Sequence, residues 1–326
     1  MSIRKIFSRL HIVLVGLAAI AMTLAIACSS DDSKGPIVLV EQDWDGQLVA
    51  TAVAKILLEE ELGFEVVQKF APADSAPMYV GLESSEYNFV CCAWLSASRA
   101  MEADFIDDRG TVERLGPVGV LGAQGWFVPR YVVEGDSSRG ITATAPNLRS
   151  YEDLNEYAEL FATSETGNKG RLLDFQPTWD NRNAERIDAM GLNFQVVYSG
   201  SEGASFAELD AHYRRGDPLL IHMWAPHWTH AKYDMVQIEL PPSTSDCYPN
   251  GENYFCGWAS EQVMKLVSTG LKDEFPKAYE FFRRFTINND QQNEMVFAVS
   301  DEGKEVTEAA RDWIDANKSI WQAWIP

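Results

Sequence analysis

The stretch "PIVLVEQDWDGQLVATAVAKILLEEELGFEVVQKF", residues 36–70, predicts the fold class of this chain. It begins with the apolar run "PIVLVE" and ends with "FEVVQKF", both typical of strands. Between them Leu48, Ala52 and Ile56 recur at helical spacing. A strand, a helix and a strand in this order predict parallel pairing, and therefore an α/β protein.

The same alternation continues along the chain, which at 326 residues and 46% hydrophobic residues is long enough for about two domains. Further strands are predicted at "YNFVCCAW", "GRLLDF", "FQVVYS" and "PLLIHMW", and helices at "SYEDLNEYAELFA", "NAERIDAMGL" and "SFAELDAHYRRG". Ser150 and Asp153 form a capping-box pattern at the first of these helices. From Trp258 onward the pattern predicts mostly helix.

The amino terminus has the order of an export signal. Basic residues precede an uncharged run over 10–27, and small residues lead to Cys28. This arrangement resembles the signal of bacterial lipoproteins, in which residues 1–27 are removed, Cys28 carries lipid and residues 28–36 act as a linker. An uncleaved single-span anchor is the alternative. Both predict a globular part outside the cytoplasm, anchored to a bacterial membrane.

The net charge and the cysteines further narrow the possible partners and the cellular compartment. A formal net charge of −21 excludes nucleic acid as a partner, because phosphates would be repelled. Cys247 and Cys256 flank a Pro/Asn/Gly turn, and an oxidising compartment predicts a disulfide between them. For the adjacent Cys91 and Cys92, in an apolar stretch, we expect buried free thiols.

Four tryptophans have equivalent positions at the ends of predicted strands: Trp44, Trp94, Trp179 and Trp224. Ligands of open α/β sheets collect at the carboxyl ends of strands, so these rings are candidates for one cleft. Taken singly, each is more typical of a core position. Aromatic walls suit a quaternary ammonium group, which has no N–H donors. Sugar stacking is a minor alternative, because "WDNRN" supplies polar groups next to a tryptophan.

Several segments together resemble one known family. They are "WDGQLVATAVAKILLEEELGFEVV", "APMYVGLESSEYNFVCCAWLSAS", "GWFVPRYVV", "MWAPHWTHAKYDMVQIELPP" and "PNGENYFCGW". They are similar to the substrate-binding lipoproteins of ABC importers for glycine betaine, proline betaine and choline. The resemblance implies a two-lobed periplasmic-binding-protein fold of type II with the ligand in the cleft between lobes. It also implies a monomer that serves a permease with its ATPase, without catalysis and without a cofactor.

The resemblance also implies a division of the chain. Residues 37–121 and 237–326 would form lobe 1, and residues 122–236 would form lobe 2. Crossing segments near Gly122 and Tyr233 would join the lobes.

By the same resemblance, Trp94, Trp179 and Trp224 form an aromatic cage. Trp44, with Asp45 close by, matches an extra aromatic residue of choline-type members. Glycine betaine is the favoured ligand and choline the alternative.

The resemblance indicates less directly which residues bind the polar end of the ligand. Backbone N–H groups at Asp180 and Asn181 are candidates for a ligand carboxylate. The Asp180 side chain departs from the glycine-rich pattern of betaine-type members and would repel a carboxylate unless it caps the following helix. Ser98 stands where some members have a histidine.

The segment "LIHMWAPHWTH", residues 220–230, carries three histidines, and His227 and His230 have metal-ligand spacing. No cysteine or paired carboxylate stands near them, so no metal site is predicted. We expect His227 to hydrogen-bond behind the cage and Trp228 to pack beneath it. The rival hypothesis is an exported lipoprotein hydrolase. The sequence has neither G-x-S-x-G nor H-E-x-x-H, which disfavours it.

Overall fold

Strands and helices alternate along the protein, as a computed structural model shows for residues 35–179, 181–244, 247 and 254–326. The strands are β1 Ile37–Glu41, β2 Val66–Phe70, β3 Phe89–Ala93, β4 Val112–Pro129, β5 Gly170–Asp174, β6 Phe194–Tyr198, β7 Leu220–Ala225, β8 Met235–Gln237 and β9 Glu261–Ser268. The signal segment and Cys28 lie outside the described residues.

The α-helices are α1 Asp45–Glu60, α2 Ala76–Glu83, α3 Arg99–Met101, α4 Arg130–Glu134, α5 Asn183–Ala189, α6 Glu202–Arg215, α7 Thr229–Lys232, α8 Leu271–Glu274, α9 Pro276–Arg284, α10 Asn289–Ser300, α11 Val306–Ala316 and α12 Lys318–Trp321. A π-helix covers Glu102–Asp108, and 3₁₀-helices cover Tyr151–Phe161, Pro177–Trp179 and Gln322–Trp324. Within the described ranges, no helix combines the length and the apolar character needed to cross a membrane.

The strands pair in the order β2-β1-β3-β9-β4-β7-β5-β6, with β8 beside β4. The parallel pairing of β1 with β2 confirms the prediction made from residues 36–70. Likewise, β5 is parallel to both β6 and β7. The carboxyl ends of strands within each parallel set therefore lie at one edge, which is where α/β proteins place their sites.

The long strand β4 changes partner part of the way along its length. Gly122 still pairs with Glu261 of β9, whereas Ala123 pairs with Ala225 of β7. This change falls one residue after the boundary that the sequence predicts between residues 121 and 122. The division into lobes stays a prediction, and the exchange of partners supports it.

The carboxyl-terminal part differs from its prediction, because the mostly helical region includes strand β9 between β3 and β4. Lys265 interrupts the apolar pattern of this strand although its side chain is buried. Its ammonium donates to the Phe285 carbonyl at 2.6 Å, which offsets the loss of water. Burial lowers the pKa of Lys265 to about 8.

The segment predicted as a helix at residues 150–162 forms a 3₁₀-helix over Tyr151–Phe161. Its start follows the predicted capping box, since the Ser150 backbone N–H donates to Asp153 Oδ2 at 2.9 Å.

Both cysteine pairs form disulfide bonds. Cys247 and Cys256 are joined, as the sequence predicts, with their Cα atoms 6.2 Å apart. Cys91 and Cys92 are joined as well, so the expectation of free thiols was wrong. Cys92 has a left-handed backbone with φ of 71°, at an irregularity in the pairing of β3 with β9. This backbone conformation brings the two adjacent cysteine side chains together. The apolar pattern alone does not predict it.

Candidate binding site

Four tryptophans meet in one cavity, which we call the aromatic pocket. It is lined by Trp44, Ala73, Asp74, Trp94, Ala97, Gln124, Trp179, Asn181, His222 and Trp224. The tryptophans follow β1, β3 and β5 or lie at the end of β7. Strand-end positions that are far apart in sequence are therefore brought together, as the spacing predicts.

The rings form walls by packing edge to face. Trp44 and Trp94 have centroids 6.5 Å apart with an angle of 68° between the ring planes, and Trp179 and Trp224 are 5.4 Å apart at 76°. Phe175 lies behind the second pair, 5.2 Å from Trp179 and 4.8 Å from Trp224. Such contacts between rings hold the ring faces in place.

Trp94 lies directly against the backbone of β4. A Cβ atom at Gly122 would come within 2.3 Å of the Trp94 ring. Glycine is therefore required here for the approach of the indole, rather than for a special backbone angle.

Hydrogen bonds from the indole groups set the orientation of two rings. Trp44 Nε1 donates to Gln42 Oε1 at 2.9 Å, and Trp179 Nε1 donates to Asp43 Oδ1 at 3.0 Å. Asp43 Oδ2 also accepts from Gln176 Nε2 at 2.5 Å. Asp43 thus connects the region after β1 to the region after β5. Nothing in the sequence pattern marks Asp43 as a site residue, although it stands next to Trp44.

Asp74 is the acidic side chain in the pocket wall, and sequence reasoning missed it. Its Oδ1 accepts from the Trp94 backbone N–H at 3.2 Å. Loss of water raises the pKa of Asp74 well above its usual value, and the nearby Glu261 and Asp43 carboxylates raise it further. Asp74 also has a left-handed φ of 49°. Nothing in "FAPADSAP" marks this position, because only folding brings it beside Trp94.

Asp45 lies elsewhere than the resemblance implied. It is the first residue of α1 and does not line the aromatic pocket. Its carboxylate accepts from Ser300 Oγ, and its backbone N–H donates to Glu202 Oε2 at 3.0 Å. Burial, and then the Glu202 carboxylate, raise the pKa of Asp45 to about 6. The acidic groups beside the rings are instead Asp43 and Asp74.

Of the two residues proposed for a ligand carboxylate, Asn181 lines the aromatic pocket. Its Nδ2 donates to Asp174 Oδ1 at 2.9 Å. Asp180 lies outside the described residues. Ser98 does not line the aromatic pocket. Its buried hydroxyl lies 2.9 Å from the Tyr79 hydroxyl.

His227 lies behind the pocket wall. Its ring stacks on Phe206 at 4.4 Å and meets the edge of Trp224 at 5.0 Å. Its Nε2 donates to Glu202 Oε1 at 3.0 Å, because Nδ1 accepts from Thr229. Burial lowers the pKa of His227 to about 3 and raises that of Glu202 to about 7.

The neighbouring aromatic and histidine side chains have separate partners. Trp228 is buried and packs 6.2 Å from Phe206. His230 Nε2 donates to the Trp224 carbonyl at 2.9 Å. His222 Nδ1 lies 2.8 Å from Asn183 Nδ2. In the residues for which positions are given, no three His, Cys, Asp or Glu side chains are grouped as metal ligands.

The side chains of this pocket have the properties needed to recognise a cation. Ring faces carry negative quadrupole charge, and Asp43 and Asp74 add acidic groups beside them.

Comparison with known proteins identifies the family. Residues 35–316 match the family described as the substrate-binding domain of the ABC-type glycine betaine transport system. The trimethylamine N-oxide-binding protein of Pelagibacter ubique (strain HTCC1062) is 27% identical over 294 residues, covering 89% of this chain and 90% of that protein.

Two solved structures share the fold. A glycine betaine/L-proline-binding protein from Borrelia burgdorferi has a TM-score of 0.71 at 20% identity, covering 90% of this chain and 97% of that one. A lactococcal protein complexed with glycine betaine has a TM-score of 0.68 at 21% identity, covering 90% of this chain and 100% of that one.

This chain therefore belongs to the family of substrate-binding domains of ABC-type glycine betaine transport systems and has the type II periplasmic-binding-protein fold. Members of the family are binding proteins of importers that act outside the cytoplasm, not enzymes. The resemblance drawn from the sequence is confirmed, and the hydrolase hypothesis is set aside.

Proposed function

We propose that this substrate-binding protein of an importer captures a small trimethylammonium compound in the aromatic pocket. The main observation in support of this proposal is that one cavity is lined by Trp44, Trp94, Trp179 and Trp224. A trimethylammonium group spreads its charge over methyl groups and has no N–H to donate. Ring faces therefore suit it, at about 0.5 to 2 kcal/mol for each ring.

Trimethylamine N-oxide is the ligand that we propose first. The relative from Pelagibacter ubique is named for binding it. It has no net charge, and its oxygen accepts hydrogen bonds. Because the pKa of Asp74 is raised, this carboxyl group retains a proton more readily and can then donate to that oxygen.

Glycine betaine, favoured by the sequence analysis, places a carboxylate in the same pocket. An ionised Asp74 would oppose that carboxylate, by about 1 to 4 kcal/mol for a pair 4 Å apart in surroundings between water and protein, whereas trimethylamine N-oxide has no net charge to repel. Choline avoids this repulsion because its polar end is a hydroxyl group. We therefore rank glycine betaine below trimethylamine N-oxide and retain choline as the second candidate.

A ligand panel tests the proposal. Calorimetry with trimethylamine N-oxide, glycine betaine and choline should show saturable binding, and tryptophan fluorescence should change with it. The matched control is 3,3-dimethylbutan-1-ol, which has the shape of choline without its charge. We expect it to bind at least about tenfold more weakly, since a cation–π contribution of 1.4 kcal/mol corresponds to tenfold. Equal binding of the neutral alcohol, or no binding of any trimethylammonium compound, would overturn the assignment.

We also propose that Cys28 carries a lipid and anchors a monomer on the extracytoplasmic face of the membrane. The "LAIAC" segment after an apolar run supports this. Labelling cells with a radioactive fatty acid should mark the wild-type protein and not the Cys28→Ser variant. Equal labelling of both would contradict it, and light scattering of the lipid-free domain would test the monomer.

Two lobes, 37–121 with 237–326 and 122–236, are proposed to close on the ligand. The hydrogen bonds that cross between them include those from Trp179 and Gln176 to Asp43 and from Asp45 to Glu202. Small-angle scattering should show a smaller radius of gyration with saturating ligand. An unchanged radius in a sample that binds ligand would count against closure.

A further inference from the structure

Asn183 lies in a buried network that fixes the direction of its amide group. The Trp126 indole, which can only donate, donates to Asn183 Oδ1 at 2.8 Å. Asn183 Nδ2 in turn donates to Asp174 Oδ2 at 2.8 Å. Both partners therefore require the same orientation, with the amide nitrogen facing Asp174.

This orientation determines which nitrogen of His222 carries the proton. Asn183 Nδ2 is also 2.8 Å from His222 Nδ1, and an amide nitrogen is a donor. His222 Nδ1 therefore accepts. In a neutral imidazole with Nδ1 as the acceptor, the proton lies on Nε2.

His222 is neutral under ordinary conditions. Burial lowers its pKa to about 4, against a smaller opposing effect of Asp174, and the Arg186 guanidinium lowers it further. Protonation would also remove the acceptor that Asn183 requires. The network thus keeps one N–H on the ring, at Nε2.

The position of that N–H makes it available to a ligand. His222 and Trp224 are two residues apart in β7, so their side chains lie on the same face of the strand, and both line the aromatic pocket. Among the residues that the structure describes, His222 Nε2 has no hydrogen-bond acceptor, and it is not one of the fully buried polar atoms without a partner, so it lies at the pocket surface. A donor at the pocket wall from which no protein group accepts can bind a ligand oxygen at this point.

We propose that His222 is a specificity-determining residue whose Nε2–H donates to the oxygen of the trimethylammonium ligand, and that Asn183 is a positioning residue for it. This rests on the proposed function and deepens it. The four rings would recognise the methyl groups, and His222 would distinguish ligands that carry an acceptor from those that do not.

Two ligands of nearly equal shape distinguish the role of the four rings from that of His222. Trimethylamine N-oxide has an oxygen where tetramethylammonium has a methyl group. Calorimetry would compare both ligands with the wild type, with His222→Phe and with His222→Gln, in which an amide can replace the donor. We expect His222→Phe to lower the affinity for trimethylamine N-oxide about 5- to 20-fold and to change that for tetramethylammonium less than about 2-fold. His222→Gln should recover part of the loss.

Equal losses for both ligands in His222→Phe would overturn the inference and leave the proposed function in place. If the wild type binds neither ligand, both fall together. Nitrogen-15 NMR of the ligand-free wild type gives an independent result, since it distinguishes the two histidine tautomers. A proton on Nδ1 of His222 would overturn the inference whatever the affinities are, and it does not depend on whether the variants fold.

Discussion

Two sets of tryptophans in this protein are buried to nearly the same degree but differ in what surrounds them. Trp44, Trp94 and Trp224 of the aromatic pocket are 6%, 9% and 7% exposed. The carboxyl-terminal tryptophans, which are Trp313, Trp321 and Trp324, are 2%, 4% and 3% exposed. Burial alone therefore does not separate a binding residue from a core residue.

The difference lies in the secondary structure that carries each set. The carboxyl-terminal tryptophans belong to helical segments, where Trp313 stacks on Trp324 at 6.0 Å and Trp321 donates to the Ile314 carbonyl at 2.8 Å. The pocket tryptophans follow strands or, for Trp224, lie at the end of one, so sheet geometry brings them to one edge. Four predictions, from the largest effect to the smallest, test this contrast.

Trp313→Ala should lower the free energy of unfolding by about 3 to 5 kcal/mol, because it leaves a cavity in the core. Ligand affinity should stay unchanged below the unfolding temperature. Urea unfolding and calorimetry measure the two quantities. Trp313→Phe is the control, with a smaller loss of stability, and a large loss of affinity in either variant would break the contrast.

Alanine at Trp94, Trp179 or Trp224 should weaken ligand binding by about 1 to 3 kcal/mol each, through lost cation–π attraction and apolar contact. Trp179 is only partly buried, so its variant should separate affinity from stability most clearly. Titration calorimetry would measure this, with Trp179→Phe retaining a ring as the control. Unchanged affinity in two of the three alanine variants would show that the cage is misassigned.

Asp74 should make choline binding depend on pH. Its raised pKa means that Asp74 keeps a proton to higher pH than an ordinary aspartate, whereas a bound cation favours its ionised form. Choline affinity should therefore rise with pH until Asp74 is ionised in the free protein, by at most about tenfold per pH unit. In Asp74→Asn the profile should be flat. A wild-type profile as flat as that of the variant would exclude Asp74 from recognition.

The smallest effect is expected at Asp43. Asp43→Ala removes the acceptor of the Trp179 indole N–H, which should reduce affinity by about 0.5 to 1.5 kcal/mol. Asp43→Asn keeps an acceptor and should lose less. If both variants bind like the wild type, packing on Phe175 is sufficient to hold Trp179 in place.

Much of the fold could be predicted because it depends on local patterns. The βαβ unit at residues 36–70 follows from apolar spacing, and so does the parallel pairing of β5 with its neighbours. Strand β9 could not be recognised in this way. Lys265 interrupts its apolar pattern, and this side chain can be buried only because the Phe285 carbonyl, 20 residues later, accepts a hydrogen bond from it.

The residues of the candidate site also fall into those that local patterns predict and those that they do not. The four tryptophans could be selected because each stands at a strand end. Asp74 and His222 could not be selected in this way. The place of Asp74 in the pocket depends on its distance from the Trp94 backbone. The role of His222 depends on the Asn183 amide, whose direction is fixed by Trp126 and Asp174.

The sequence by itself determined the alternation of strands and helices, the strand-end position of the tryptophans and, through quoted segments, the family. These are properties of neighbouring residues and their periodicity. Only the tertiary structure decided that Asp74 rather than Asp45 lies beside the rings, that Cys91 joins Cys92, and which nitrogen of His222 carries a proton. Each of those depends on distances between groups that local patterns do not fix, and hydrogen bonds and desolvation change over about an ångström.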